Sequence, residues 1–319
     1  MNIVITLLQY TFISFIPILI VALGGLMSEK SGVTNIALEG IMLMGAFIGI
    51  WMIKILQETT GLNPQLIYLI GMIVGGVVGL IFSAIHAFAS IHMNADQTIS
   101  ATALNLFAPA FAIFTARSIM GGQQVKFTGN FLIQKVPLLG DIPFIGDILF
   151  QKTYLSFYLG LLIFVIVLVL MYKTRLGLRI RAVGENPHAA QSLGIHVKRI
   201  RYFSVLSSGF LAGLGGVVFV ATTSEGFDAT VAGLGFLSIA VLIFGNWKPQ
   251  TIIFAALFFG FFRTFVNATA VIPWLADAKV PDEFFQMLPY IVTLVALAFT
   301  SKRSLAPKAI GQPFDQGQR

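Results

Sequence analysis

The chain is a succession of long apolar runs broken by short polar stretches. Nine runs stand out, at about 5–26, 34–54, 65–90, 98–116, 154–172, 202–222, 230–246, 250–269 and 285–301. Several approach or exceed the roughly 20 residues that a helix needs to cross a bilayer. The pattern predicts an all-α, polytopic membrane protein with about nine transmembrane helices. The range is eight to ten, because a broken or re-entrant helix changes the count. No composition shift divides residues 1–319, so one transmembrane domain is expected.

The polar connections set the orientation. The loop between the fifth and sixth runs, at about 173–201, carries Lys173, Arg175, Arg179, Arg181, Lys198, Arg199 and Arg201 against Glu185 alone. Lys302, Arg303 and Lys308 follow the last run. Cytoplasmic loops are enriched in Lys and Arg, so both regions are expected inside. Nine crossings then put the N-terminus outside and the C-terminus in the cytoplasm. The connection at about 117–153 falls outside, as do Glu225, Asp228, Asp277, Asp282 and Glu283. The outer connection either lies against the membrane or forms a docking surface.

Composition agrees. The chain is 57% hydrophobic and 10% charged, with a mean hydropathy of +0.89, whereas soluble domains carry about 25% charged residues. The net charge of +7 resides between apolar runs, so topology accounts for it and nucleic acid is not an expected partner. There is no Cys, hence no disulfide framework or thiolate metal site. "MNIVITLLQYTFISF" lacks the basic start of a cleaved signal, so the first run is expected to stay as a helix. Glycines crowd the third run (Gly71, Gly75, Gly76, Gly79) and the sixth (Gly209, Gly213, Gly215, Gly216), which predicts close helix packing in lipid.

Within the basic loop, "RAVGENPHAAQSLGIHVKRIR" encodes a short helix. Asn186 suits the N-cap, Pro187 the first helical position and Gly194 a left-handed stop. Ala189 and Ala190 leave a small face. The residues alone fit an interfacial helix held by basic flanks or a helix approached by a partner. Charged and polar residues inside the runs are functional candidates. Glu39, with Asn35 one turn earlier, is expected to be either a structural pair at a broken helix end or part of a pathway. Thr98, Thr102 and Asn105 make a polar stripe on the fourth run, as pathway lining or interhelical glue. Asp96 sits at its cytoplasmic end, as part of an inner gate. "GVTNIALEGIMLMGAF" loosely resembles "GLGFLSIAVLIFGNW" in the opposite orientation, as in an inverted repeat, although chance explains such a likeness more readily.

"RAVGENPHAAQSLGI" resembles the cytoplasmic coupling motif of ABC importer permeases, in the branch carrying ribose-type sugars, nucleosides and branched-chain amino acids. "GVTNIALEGIMLMGAF" and "GLGFLSIAVLIFGNWKP" resemble two further signatures of that branch, the second that of permeases paired with basic-membrane-protein-type lipoproteins. The resemblance implies a type II-like importer permease in a bacterial plasma membrane, with nucleosides as cargo moved by alternating access. It implies ATPase coupling through Gly184, Glu185, Asn186, Pro187, His188, Ala189, Ala190 and Gly194. It also implies three partners: a second related permease, a cytoplasmic ABC ATPase with two nucleotide-binding domains, and an extracellular substrate-binding lipoprotein. No phosphate loop of the G-x-x-x-x-G-K-[ST] type occurs, so ATP hydrolysis is expected in the partner. No catalytic constellation, cofactor site or metal site is expected. A ribose- or galactose-type sugar permease is the nearest alternative. An intramembrane lipid-modifying enzyme would need an interfacial cluster of acids, His or Lys, which is not seen.

Overall fold

The computed structural model describes residues 2–143, 145–269, 287, 291, 294 and 305–315. Its helices are α1 (Asn2–Lys30), α2 (Leu38–Thr59), α3 (Pro64–Ala87), α4 (Gln97–Met120), α5 (Ile145–Leu149), α6 (Leu155–Lys173), α7 (Arg175–Glu185), α8 (Pro187–Ser192), α9 (Val197–Thr223), α10 (Leu234–Phe244) and α11 (Pro249–Thr269). A π-helical turn, Phe88–His92, extends α3. Helix ends follow local chemistry. The Asn63 side chain accepts the Gln65 amide ahead of α3, and Gly121 ends α4 at φ 72°.

Seven of the described helices are long and apolar enough to cross a membrane. Six match expected runs closely, and α1 extends the first to Lys30. The seventh expected run, 230–246, departs from expectation. Its helix α10 has 11 residues, about 16 Å at 1.5 Å per residue, roughly half a hydrocarbon core. The approach to it is non-helical, with Ala229 and Ala232 in the left-handed region at φ 56° and 53°. Apolar composition did not reveal the break, because chain buried inside protein stays apolar whether helical or extended. The ninth run and the acids Asp277, Asp282 and Glu283 lie outside the described residues. The count of about nine therefore stands as seven long helices and one short one among the described residues.

The connection between α4 and α6 also departs from an all-helical reading. It forms β1 (Val125–Lys126), β2 (Leu132–Lys135) and β3 (Gln151–Tyr154), and β4 (Gly226–Phe227) follows α9. β1 pairs antiparallel with β4, and β2 with β3. These pairings cap one end of the bundle. Gln9 near the start of α1 donates to the Asp147 carbonyl there, Gln57 at the end of α2 to Thr128, and Gln65 at the start of α3 to Phe131. The basic loop and residues 305–315 sit together at the other end.

The core is built on α1, α2, α3 and α9. Glycine lets three of them touch backbone to backbone. A Cβ on Gly45 would lie 2.6 Å from the Gly213 carbonyl oxygen, and one on Gly213 would lie 2.9 Å from Gly79 Cα. α4 packs on one side and leaves Ile99, Leu106 and Phe114 about 70% exposed.

Candidate coupling platform and central polar cluster

The central cluster forms where α2 and α10 begin. Glu39 lies in the first turn of α2. Its two carboxylate oxygens accept the amides of Gly233 at 3.0 Å and Gly235 at 2.7 Å. The carboxylate thus satisfies the open N-terminus of the short helix α10, where a negative charge is favoured. A Cβ on Gly235 would lie 2.5 Å from Glu39 Cα, so the two helix starts meet at backbone distance. These are the two stretches with similar sequences.

Asn35 is not on the same helical face as Glu39, because it precedes α2 in a non-helical entry. Extended chain at 33–35 turns it toward α9, where it donates to Ser208 Oγ at 3.0 Å. Asn105 reaches from α4 to the same entry. It accepts the Gly40 amide at 2.8 Å and donates to the Ile36 carbonyl at 3.0 Å. Both functions of its amide are spent on holding the start of α2. Thr98 and Thr102 are exposed beyond it, and Thr102 bonds only back to the Thr98 carbonyl. Asp96 is the N-cap of α4, accepting from Thr98 and Ile99. His86 is fully buried between the Thr34 carbonyl and Ser100. Among the described residues no group of three or more His, Asp or Glu could hold a metal.

The platform stands at the basic end. α7 ends at Glu185, and the Asn186 side chain accepts the Ala189 amide at 3.0 Å to open α8. Pro187 occupies the first helical position. The Gly194 amide donates to the Gln191 carbonyl and the Ile195 amide to Ala190, with Gly194 at φ 81°, the two bonds of a Schellman stop. Glu185, Asn186, His188, Ala189 and Gly194 are exposed. Leu193 is 82% exposed, an apolar side chain at the end of α8 with most of its surface uncovered. Ala190 departs from the expected small outer face. It is 3% exposed and packs with Val183, Val197 and Phe314. Pro187 is buried too. Gly184 meets the end of α1, where a Cβ would lie 2.9 Å from the Lys30 carbonyl carbon.

Sequence reasoning missed what completes the platform. Arg201 counted only as a loop charge, yet it is 1% exposed. It donates to the Ser31 carbonyl at 3.3 Å and the Gln312 carbonyl at 3.1 Å, and its guanidinium stands 5.9 Å from the Phe314 ring. The signal was present: Val197, Arg201, Ser204, Val205 and Ser208 share one buried helical face. Glu29, also buried, accepts from the Trp247 indole after α10.

Residues 7–297 match the family described as branched-chain amino acid transport system / permease component. The chain is 40% identical to the guanosine ABC transporter permease protein NupQ of Bacillus subtilis, over 97% of this chain and 96% of that protein. It is 37% identical to the nucleoside ABC transporter permease protein NupC of Lactococcus lactis, over 92% of each. The putative glucose ABC transporter permease protein TsgC13 of Haloferax volcanii is 28% identical over 97% of each. These relatives are named as ABC transporter permease proteins. With seven membrane-length helices among its described residues and a match over nearly its whole length, this chain belongs to the branched-chain amino acid transport system / permease component family of ABC transporter permeases.

Proposed function

We propose that the chain is a membrane-spanning subunit of a nucleoside importer of a bacterial plasma membrane. A separate ATPase with two nucleotide-binding domains docks on α8 and drives alternating access. A second, related permease and an extracellular substrate-binding lipoprotein complete the assembly. The observation that carries the coupling role is the exposed face of α8: Ala189 leaves room for close approach, and Leu193 offers apolar surface for a partner to bury. The similarity to proteins named for nucleosides and guanosine supports the cargo. Residues 305–315 are bonded to α7 and α9, which supports a cytoplasmic C-terminal region on the side of the basic loop. Thr98, Thr102 and the Glu39 cluster, with Asn35 and Asn105 behind it and Asp96 at the inner end, border the substrate path.

Two measurements test this reading. Ala189→Glu places a charge on the docking face without touching the platform core. Purified complexes should lose the ATPase, while removal of the flanking charges Arg179, Arg181, Lys198 and Arg199 should do less harm. The opposite ranking would make α8 a membrane-surface helix. In a deletion strain, the intact transporter should restore uptake of labelled nucleosides. Restored uptake of labelled glucose or ribose alone would favour the sugar reading, which the Haloferax relative supports.

A further inference from the structure

We propose that residues 305–315 act as a strap that transmits movement of α8 to the short helix α10. This inference rests on the ATPase-coupling reading. α8 packs chiefly on α7 and α9, while α10 packs on α1, α2 and α11. The strap touches both groups. At one end Phe314 is 3% exposed, packed with Val183, Ala190 and Val197, and its ring centroid lies 5.1 Å from that of His188 on α8. In its middle, the Ala309 amide donates to the Gly184 carbonyl at 2.9 Å and the Gly311 amide to Gly32 at 3.1 Å. At the other end the Leu305 amide donates to Asn246 Oδ1 at 2.7 Å. Asn246 is the second residue after α10.

The strap is stiff enough to carry a displacement. Two turns brace it, from the Ile310 amide to Pro307 and from the Gln312 amide to Ala309. Arg201 clamps it to the start of α9 through Gln312 and Phe314. α10 is set off from the chain on either side of it as a unit. Left-handed residues bound it at both ends: Ala232 and Gly233 before it, Asn246 and Trp247 after it. Its other end is the helix start held by Glu39 in the central cluster. A shift of α8 by a docked ATPase therefore has a connected route through packed and bonded groups to the region beside the substrate path. In this scheme Asn246 and Phe314 are positioning residues.

The test cuts the strap at the end remote from α8. Asn246→Gly accepts the left-handed backbone and removes the acceptor for Leu305. Asn246→Asp keeps an acceptor oxygen there. The chain has no Cys, so a thiol introduced by Phe236→Cys, at an exposed position in the first turn of α10, reports on α10 within the reconstituted transporter. The expected result for Asn246→Gly has three parts. The ATPase still co-purifies. Nucleoside imported per ATP hydrolysed falls about fivefold, the scale of one lost hydrogen bond. ATP no longer changes the labelling rate of the introduced thiol. Asn246→Asp restores the last two. Unchanged transport per ATP and unchanged ATP-dependent labelling in Asn246→Gly would overturn the proposal. Loss of ATPase co-purification in that variant would also overturn it, making the strap a brace for the docking face. Failure of the unsubstituted transporter to bind an ATPase would instead sink the coupling reading itself.

Discussion

Gly213→Ala probes the seam on which the bundle is built. The added methyl carbon would sit against the Gly75 carbonyl, nearest its oxygen and 3.0 Å from its carbon, and 2.9 Å from Gly79 Cα. Carbon atoms pack best at about 3.5–4.0 Å and the carbonyl oxygen lies nearer than either carbon, so α3 and α9 must part by at least about 1 Å. Both obstructing groups are backbone, so no side chain can turn aside to make room. Overpacking of this kind costs about 1–3 kcal/mol, against a helix-propensity gain of about 1 kcal/mol from replacing Gly. The net expectation is a loss of up to about 2 kcal/mol. Gly25→Ala is the matched control. Its methyl would meet only side-chain tips, Leu38 Cδ1 at 3.1 Å and Leu242 Cδ2 at 3.4 Å, which can shift. Thermal unfolding of the purified chain in one detergent should place Gly213→Ala several degrees below the wild type, with Gly25→Ala level or above. Equal midpoints for the two variants would refute the backbone-tight seam.

Three further outcomes follow from the polar contacts. Asn105→Leu removes the partners of the Gly40 amide and Ile36 carbonyl and should lower thermal stability by about 1–3 kcal/mol, whereas Thr102→Val, exposed and bonded only within α4, should leave the midpoint unchanged. A transport defect in Thr102→Val at wild-type stability would mark a pathway role; normal uptake would make that end of the stripe ordinary helix surface. Glu39→Gln should weaken the junction of α2 and α10, because its new NH2 group cannot accept the amide that one carboxylate oxygen now takes; unchanged stability and uptake would show that the junction holds without the charge. Ala190→Glu should reduce the amount of folded protein, since it drives a carboxylate into the cluster of Val183, Val197 and Phe314 at several kcal/mol, while Ala189→Glu should express normally.

Much of the helical order was legible in the sequence because its signals are local. Apolar run length marks the long helices, and Asn186, Pro187 and Gly194 delimit α8 through chemistry contained within a few residues. What the sequence concealed depends on partners far along the chain. Ala189 and Ala190 are chemically identical neighbours about 100° apart around a two-turn helix. Packing against Val183, Val197 and the distant Phe314 makes one a core residue and leaves the other at the surface. Asn105 was visible as a polar residue in an apolar run, but not that both ends of its amide are committed to backbone near Ile36 and Gly40. α10 was hidden for a different reason: beside Gly233 and Asn246, the left-handed residues that shorten it include Ala232 and Trp247, which do not ordinarily announce a turn, and the run stays apolar across the break.

The strap also imposes an order in time. Gln312 is 111 positions beyond the Arg201 it partners, so at roughly 5–20 residues per second a growing chain makes it about 6–20 s later. During that interval α7, α8 and the start of α9 can form, yet Phe314 has not closed their small core and Gln312 has not met the buried guanidinium. On the coupling reading proposed above, the docking face is finished only when the strap arrives. A chain interrupted before residue 305 would have every long helix described here, and the cluster of Val183, Ala190 and Val197 would lack Phe314. On that reading the contact that closes last lies beside the proposed ATPase surface, so a chain lacking the strap should assemble poorly.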